Sequence, residues 1–281
     1  MHFGSPVYIF SLLLPCLLLF AGWLILRNQS QKVQKIVILS LAALNVFQHL
    51  FKSIIYPQHF GQGFTINSTA YNLCACLILL TPIAICVKSK GLKTFCMCAG
   101  LCGGLLALVY PVWFLGVEVS ELGWEYNRFF ICHCVLFLTS GLYLVLGLHK
   151  ISYLDFWKMG LYLLLVLCVI LLNDIICIVG GLFPGWSADK LYKAIASHNP
   201  FSLMGPRPGY DSITSVIIAL SPSIFTGNNP ANAYIPILWY AIPLYLVTST
   251  GTFLAFILVD RKNFAKDLKK LKTKLSKHKS A

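Results

Sequence analysis

Charge is what this sequence has least of. Only 11% of its 281 residues are Asp, Glu, Lys or Arg, nine of them acidic, against 58% hydrophobic residues and a mean hydropathy of +0.76. So little charge excludes a water-soluble surface at this length. No basic region precedes the first apolar run and no small-residue cleavage site clearly follows it, so that run reads as a first membrane span and not as a cleaved signal. The shortage of acids leaves a formal net charge of +13. Its basic residues fall in short clusters between apolar runs, a pattern of membrane topology and not of nucleic-acid binding. Cysteine is plentiful, with eleven residues, but most lie inside apolar runs, where Cys acts as a small buried hydrophobe; a disulfide framework is not expected.

Seven apolar runs are long enough to cross about 30 Å of hydrocarbon: 7–26, 36–56, 70–87, 94–116, 129–148, 159–183 and 234–259. Lipid offers no partners to backbone N–H and C=O groups, and the runs lack the period-two polarity of barrel strands, so the expected class is all-α. Arg27, Lys32 and Lys35 follow span 1; Lys88, Lys90 and Lys93 follow span 3; Lys150 and Lys158 follow span 5; the basic tail follows span 7. These sides are expected to be cytoplasmic, which puts the N-terminus outside. Residues 184–233 then form an external loop, whose apolar stretch 213–224 is too short to cross and reads as a re-entrant or interfacial piece. The tail, 260–281, carries eight Lys and one Arg against two Asp. With Phe264, Leu268, Leu271 and Leu275 on one helical face, it reads as an amphipathic helix suited to anionic lipid headgroups or, more simply, as a positive-inside stop signal.

Depth counting picks out a polar layer. Span 3 enters from outside near Thr69, placing Cys74 roughly 6 to 8 Å down at 1.5 Å per residue. His133 in span 5 lies at nearly the same depth, Asn72 half a turn above Cys74, and His49 about two turns below the same face in span 2. A thiol and an imidazole at one depth suit acyl transfer, with Cys74 as nucleophile and His133 as base. With Asn67, Ser68 or Thr69 as cap, Cys74 would feel the positive end of the helix dipole, which favours a thiolate, while apolar burial opposes it. The alternatives are that Cys74 is apolar filler and that Asn72 makes a helix–helix hydrogen bond.

Other chemistries fit less well. Cys74 and Cys76 point about 200° apart, as do Cys132 and Cys134, so neither pair chelates a metal by itself. Span 7 has no Lys for a Schiff base, no Asp-Arg-Tyr triplet ends span 3, and Asp174 is the only carboxylate well inside a span, which speaks against a retinal protein, a receptor and ion-coupled transport.

Order and spacing over about residues 35–250 resemble the YwaF-like integral membrane proteins, a bacterial family sharing a domain with a vertebrate transmembrane acyltransferase of ether phospholipids. The family's Leu-Pro-Leu-His-Leu-Cys resembles Thr69-Ala70-Tyr71-Asn72-Leu73-Cys74, departing at Ala70 and Asn72. Its span-5 His resembles His133, its Gly-Pro-Trp-Pro-Trp-Tyr resembles Gly205-Pro206-Arg207-Pro208-Gly209-Tyr210, and its Asn-Tyr pair is echoed by Asn173-Asp174. The resemblance implies Cys74 as acyl-enzyme nucleophile and His133 as its base. More distantly similar are the androgen-induced transmembrane hydrolases, which implies hydrolysis as the neighbouring reaction.

In this comparison Asn72, His49, Arg207, Tyr210 and Asn173 are candidate substrate contacts, Arg207 for a lipid phosphate. The proline-rich segment His198 to Tyr210 reads as a stiff loop above the site or as a plain connector. Asn67-Ser68-Thr69 matches a glycosylation acceptor. The expected activity is a cofactor-independent, cell-membrane acyltransferase moving a fatty acyl chain from phospholipid to lysolipid, with no metal and no nucleic-acid partner. The alternatives are a lipid-ester hydrolase and a non-catalytic lipid-binding or receptor-like protein.

Overall fold

The structure is a computed structural model and describes residues 2–55, 66–111, 114–118, 123–182, 202–206, 211–228 and 234–279. The chain is all-α: α1 (Pro6–Leu26), α2 (Gln31–Leu50), short α3 (Lys52–Ile55), α4 (Leu73–Cys86), α5 (Lys90–Val109), α6 (Trp124–Val145), α7 (Phe156–Val179), α8 (Asp211–Ala219), α9 (Leu238–Val259) and α10 (Arg261–Lys279). Among the described residues, β pairing is confined to one bridge, Thr226 to Tyr234. Helices α1, α2, α5, α6, α7 and α9 are each long and apolar enough to cross a bilayer, whereas α4 has 14 residues. This is a polytopic membrane architecture.

Two helices start earlier than the expected spans because a serine cap, not hydropathy, sets where they begin. Ser30 accepts from Val33 N at 3.3 Å and starts α2 at Gln31 instead of 36. Ser89 accepts from Leu92 N at 3.3 Å and starts α5 at Lys90 instead of 94. Each polar first turn is helical although it adds nothing to an apolar run. Helix α6 likewise starts at Trp124 instead of 129, which carries Glu125 and Arg128 out of the loop and into the helix.

Lipid supplies no hydrophobic force between helices, so close backbone approach must hold the bundle together. Gly100 and Gly104 provide it between α5 and α6: a Cβ on Gly104 would stand 2.9 Å from His133 O and from Phe137 N. Helix α6 is central, packing against α1, α2, α4 and α5, while α9 packs on α7 and α8 on α9. The exterior is apolar, with Leu258 77% exposed and Ile25 and Val247 each 69%, as a lipid-facing surface requires. The polar residues Gln34, Asn45, His49, Thr81, Ser140 and Asp174 are buried inside.

Two further regions carried expectations of their own. The stretch expected as re-entrant or interfacial, 213–224, overlaps α8 and the turn after it; nine helical residues rise only about 14 Å. The tail is helical from Arg261 and leaves α9 at Asp260.

Candidate functional site

The ends of α2 and α7 and the starts of α4 and α6 share one layer of the bundle. Hydrogen bonds tie it together across helices. Asn45 donates to Cys132 O at 3.1 Å, Gln48 to Arg128 O at 3.4 Å, and Asn173 to Thr69 Oγ1 at 2.9 Å. His49 Nε2 lies 2.9 Å from Thr69 O; a carbonyl only accepts, so Nε2 carries the proton and donates.

Cys74 occupies the first turn of α4, half-buried and with a free thiol. Its cap is Asn72, not Asn67, Ser68 or Thr69 as expected from sequence. Asn72 is extended, at φ −150° and ψ 173°, and its side chain accepts from Ala75 N at 2.8 Å. Thr69 Oγ1 accepts instead from Asn173 Nδ2 at 2.9 Å, while its own hydrogen goes to Ile66 O at 2.6 Å. The helix therefore begins at Leu73, later than 70, and Cys74 sits closer to its positive end. Cys76, two residues on, points to another side and reaches Ala70 O at 3.5 Å.

On α6, His133 Nδ1 lies 2.8 Å from Phe129 O. The proton again belongs on the nitrogen facing the carbonyl, which leaves Nε2 with the basic lone pair. Phe129 also covers the ring, centroid to centroid at 4.2 Å. Cys74 and His133 are not hydrogen-bonded to one another; the imidazole is oriented by α6 itself, and the thiol is in no disulfide.

The layer contains more than the sequence suggested. Lys52, placed by sequence at the end of a span, is 1% exposed, with Nζ 5.1 Å from the centroid of Tyr71. The Tyr71 ring in turn lies parallel to His49 at 6.4 Å. Arg128 is 9% exposed and holds Glu125 through two hydrogen bonds, Nε to Oε2 at 2.9 Å and a second from Nη2 to Oε1. Cys132, one turn further along α6, lies within electrostatic range of both cations and of Cys74. Helical spacing held a signal here: Glu125, Arg128 and Cys132 recur at three and four residues, which puts them on one face once α6 is known to begin before them.

Of the sequence candidates, His49, Asn72, Cys74, His133 and Asn173 all fall in or beside this layer. Arg207 and Tyr210, like His198, lie outside the described residues. Asp174, beside Asn173, is fully buried, and neither carboxylate oxygen has a hydrogen-bond partner. Among the described residues no group of three or more His, Cys, Asp or Glu side chains is placed to hold a metal ion.

A scan against protein families matches residues 2–226 of the chain to the TMEM164 family. The chain belongs to the TMEM164 family. No curated protein matches it, and no solved structure does. The matched span covers every helix from α1 to α8 and all of the polar layer, while the whole of α9 and α10 lies beyond it. The matched span of this TMEM164-family chain thus includes the positions of Cys74, His133, Lys52 and Arg128.

Proposed function

We propose that this TMEM164-family protein is a membrane-embedded acyltransferase that moves a fatty acyl chain from a phospholipid to a lysolipid through a thioester on Cys74. The observation that carries the reading is that one layer of the bundle holds, in or beside it, a free thiol in the first turn of α4 and an imidazole on α6 whose tautomer is set by Phe129 O. A nucleophile and a base that is itself oriented by a third group are the parts that covalent acyl transfer needs.

In the first half-reaction His133 Nε2 takes the proton of Cys74, and Sγ adds to the ester carbonyl of the donor lipid. The tetrahedral adduct collapses, breaking the ester C–O bond, and the departing alkoxide of the lysolipid recovers the proton from His133. In the second half, the hydroxyl of an acceptor lysolipid gives its proton to His133 and attacks the thioester, releasing the thiolate. Water in place of the acceptor would give hydrolysis. Catalytic hydrogen bonds often form only with substrate in place, which accommodates the separation of thiol and imidazole in the free protein.

On the basic clusters, the reading sets the N-terminus and the Cys74 layer on the external side of the cell membrane, with 184–233 external and 260–281 cytoplasmic. Comparing membrane lipids from cells that express the native chain, Cys74→Ser and Cys74→Ala tests the chemistry. Both substitutions are expected to abolish the change in acyl composition that the native protein produces. Folded variants whose lipid profiles equal that of the native protein would defeat the enzyme reading in favour of a lipid-binding role.

A further inference from the structure

Lys52 begins α3, just where the chain leaves α2, and Arg128 projects from the second turn of α6. Although they lie 76 positions apart in the sequence numbering, both are buried in one layer, at 1% and 9% exposure, within electrostatic range of each other and of Cys132. Cys132 in turn neighbours Cys74. The two cations are held in place: Lys52 by the face of Tyr71, 5.1 Å away, and Arg128 by the Glu125 carboxylate. Two buried cations repel each other and forgo hydration, an arrangement that a shared anion stabilises. The positive ends of α4 and α6 open on the same layer and add to that field.

We infer that Lys52 and Arg128 bind the phosphate group of the lipid whose acyl ester is presented to Cys74. The inference rests on the acyl-transfer reading of that layer and identifies the part of the substrate that positions it. The Nε–Nη2 edge of Arg128 holds Glu125, so a phosphate would meet the outer N–H groups of the guanidinium, and Lys52 supplies a point charge from α3. Glu125 keeps the fork from swinging away, and Tyr71 lies between Lys52 and the residues leading into Cys74.

The test uses the purified full chain in a neutral detergent with a photoactivatable lysophosphatidylcholine as probe. Competitors are lysophosphatidylcholine, a monoacylglycerol of the same chain length, and inorganic phosphate. The native protein is expected to prefer the phosphate-bearing lipid over the monoacylglycerol by roughly tenfold or more, the worth of a charge-assisted contact. Lys52→Gln and Arg128→Gln should each erase that preference and leave monoacylglycerol competition unchanged. Lys52→Arg should keep it. Arg128→Lys retains the charge without the fork and should weaken the preference, providing a milder variant should a charge deletion fail to fold. Variants with native helical circular dichroism that keep the full preference would overturn the assignment. Displacement of the probe by inorganic phosphate as readily as by lysolipid would overturn the lipid as the source of the phosphate. Cys74→Ala should leave the preference intact. An intact preference beside unaltered lipid profiles would therefore discard the chemistry and keep the phosphate site.

Discussion

Asn173 donates a 2.9 Å hydrogen bond to Thr69 Oγ1, and through it the end of α7 is tied to the segment that feeds α4. Thr69 serves four partners: its hydroxyl hydrogen goes to Ile66 O at 2.6 Å, its oxygen receives Asn173 and, at 3.8 Å, Cys177 Sγ, and its carbonyl receives His49 from α2 at 2.9 Å. A residue outside every helix thus links α2, α7 and the entry to α4. Cys74 lies five residues beyond it, so its position depends on this junction.

Breaking the junction should cost stability and, more sharply, activity. Interhelical hydrogen bonds in bilayers are worth about 0.6 kcal/mol on average, up to about 1.7. Thr69→Val removes the acceptor for Asn173 and the bond to Ile66, while Asn173→Ala removes only one contact. Thermal unfolding in detergent should rank native above Asn173→Ala above Thr69→Val, with Thr69→Ser near native. Labelling of Cys74 by an acyl probe should fall further than stability does, since small displacements of a nucleophile are costly to rate. Equal stability of all four proteins would show that the junction is incidental.

At the opposite end of the bundle, His149 Nε2 lies 2.8 Å from Thr94 Oγ1, whose hydroxyl hydrogen goes to Lys90 O at 3.0 Å. The imidazole is therefore the donor. Burial, and then the nearby charge of Lys93, push the pKa of His149 down from its ordinary 6.5, with Asp155 pulling the other way. A lowered folded-state value means that the unfolded chain binds the proton more readily. The contribution to stability is thus complete above about pH 6.5 and is lost as pH falls below it. The melting midpoint of the native protein should drop between about pH 7.5 and about pH 5.5. His149→Gln should flatten the part of the drop that this residue causes; an identical drop in the variant would remove His149 as its origin.

How much of this was legible in the sequence differs with the physics involved. The all-α class was, because a bilayer leaves a polypeptide few other solutions and the apolar runs are long. Depth counting groups His49, Asn72, Cys74 and His133, since rise per residue converts sequence position into height, whereas Asn173 enters only through the family resemblance. Azimuth was not legible. Nothing in the run around Lys52 reveals that it turns inward under Tyr71, and Arg128 reads as a loop charge until α6 is seen to start at Trp124. The cap of α4 was misplaced for a related reason: Thr69 and Asn72 are both good cap residues, but Thr69 Oγ1 accepts from Asn173 on α7 whereas Asn72 Oδ1 accepts from Ala75 N. Orphan backbone groups settle that choice, and they exist only in three dimensions.

The basic tail is anchored before it is free. Tyr153 Oη donates to Asp267 at 2.9 Å, Tyr153 N donates to Asp260 at 3.2 Å, and Phe264 packs edge-on against the Tyr153 ring at 5.3 Å. Leu268 and Leu271 remain 42% and 54% exposed. The Tyr153 hydroxyl and Lys270 hold the Asp267 carboxyl below its ordinary range, so this latch is complete near neutral pH and is lost on acidification as the carboxylate protonates. Tyr153→Phe keeps the ring and loses the hydroxyl. Tryptic cleavage at the lysines of α10 should be faster in that variant than in the native chain, and acid should close the gap between them. Binding of the exposed tail to vesicles rich in anionic lipid should rise with it; cleavage rates that match in the two proteins at all pH values would dismiss the latch.

Orientation is the premise under the chemistry, because it decides which leaflet supplies the acyl donor. The proposed orientation puts Lys88 inside and the loop holding Glu118 outside, and both residues are exposed. Single cysteines there report the two faces directly, once the native exposed Cys16, Cys86, Cys102 and Cys168 have been replaced. A membrane-impermeant maleimide added to intact cells should label Glu118→Cys and should reach Lys88→Cys only after permeabilisation. Cys74 shares its layer with Arg128 and Glu125, a few residues along the chain from Glu118, so the same labelling locates the thiol. The inverse pattern would set the lysine clusters against the positive-inside rule and move the reaction to the cytoplasmic leaflet. An external lysolipid would then have no route to Cys74, and the acceptor would have to be drawn from within the cell.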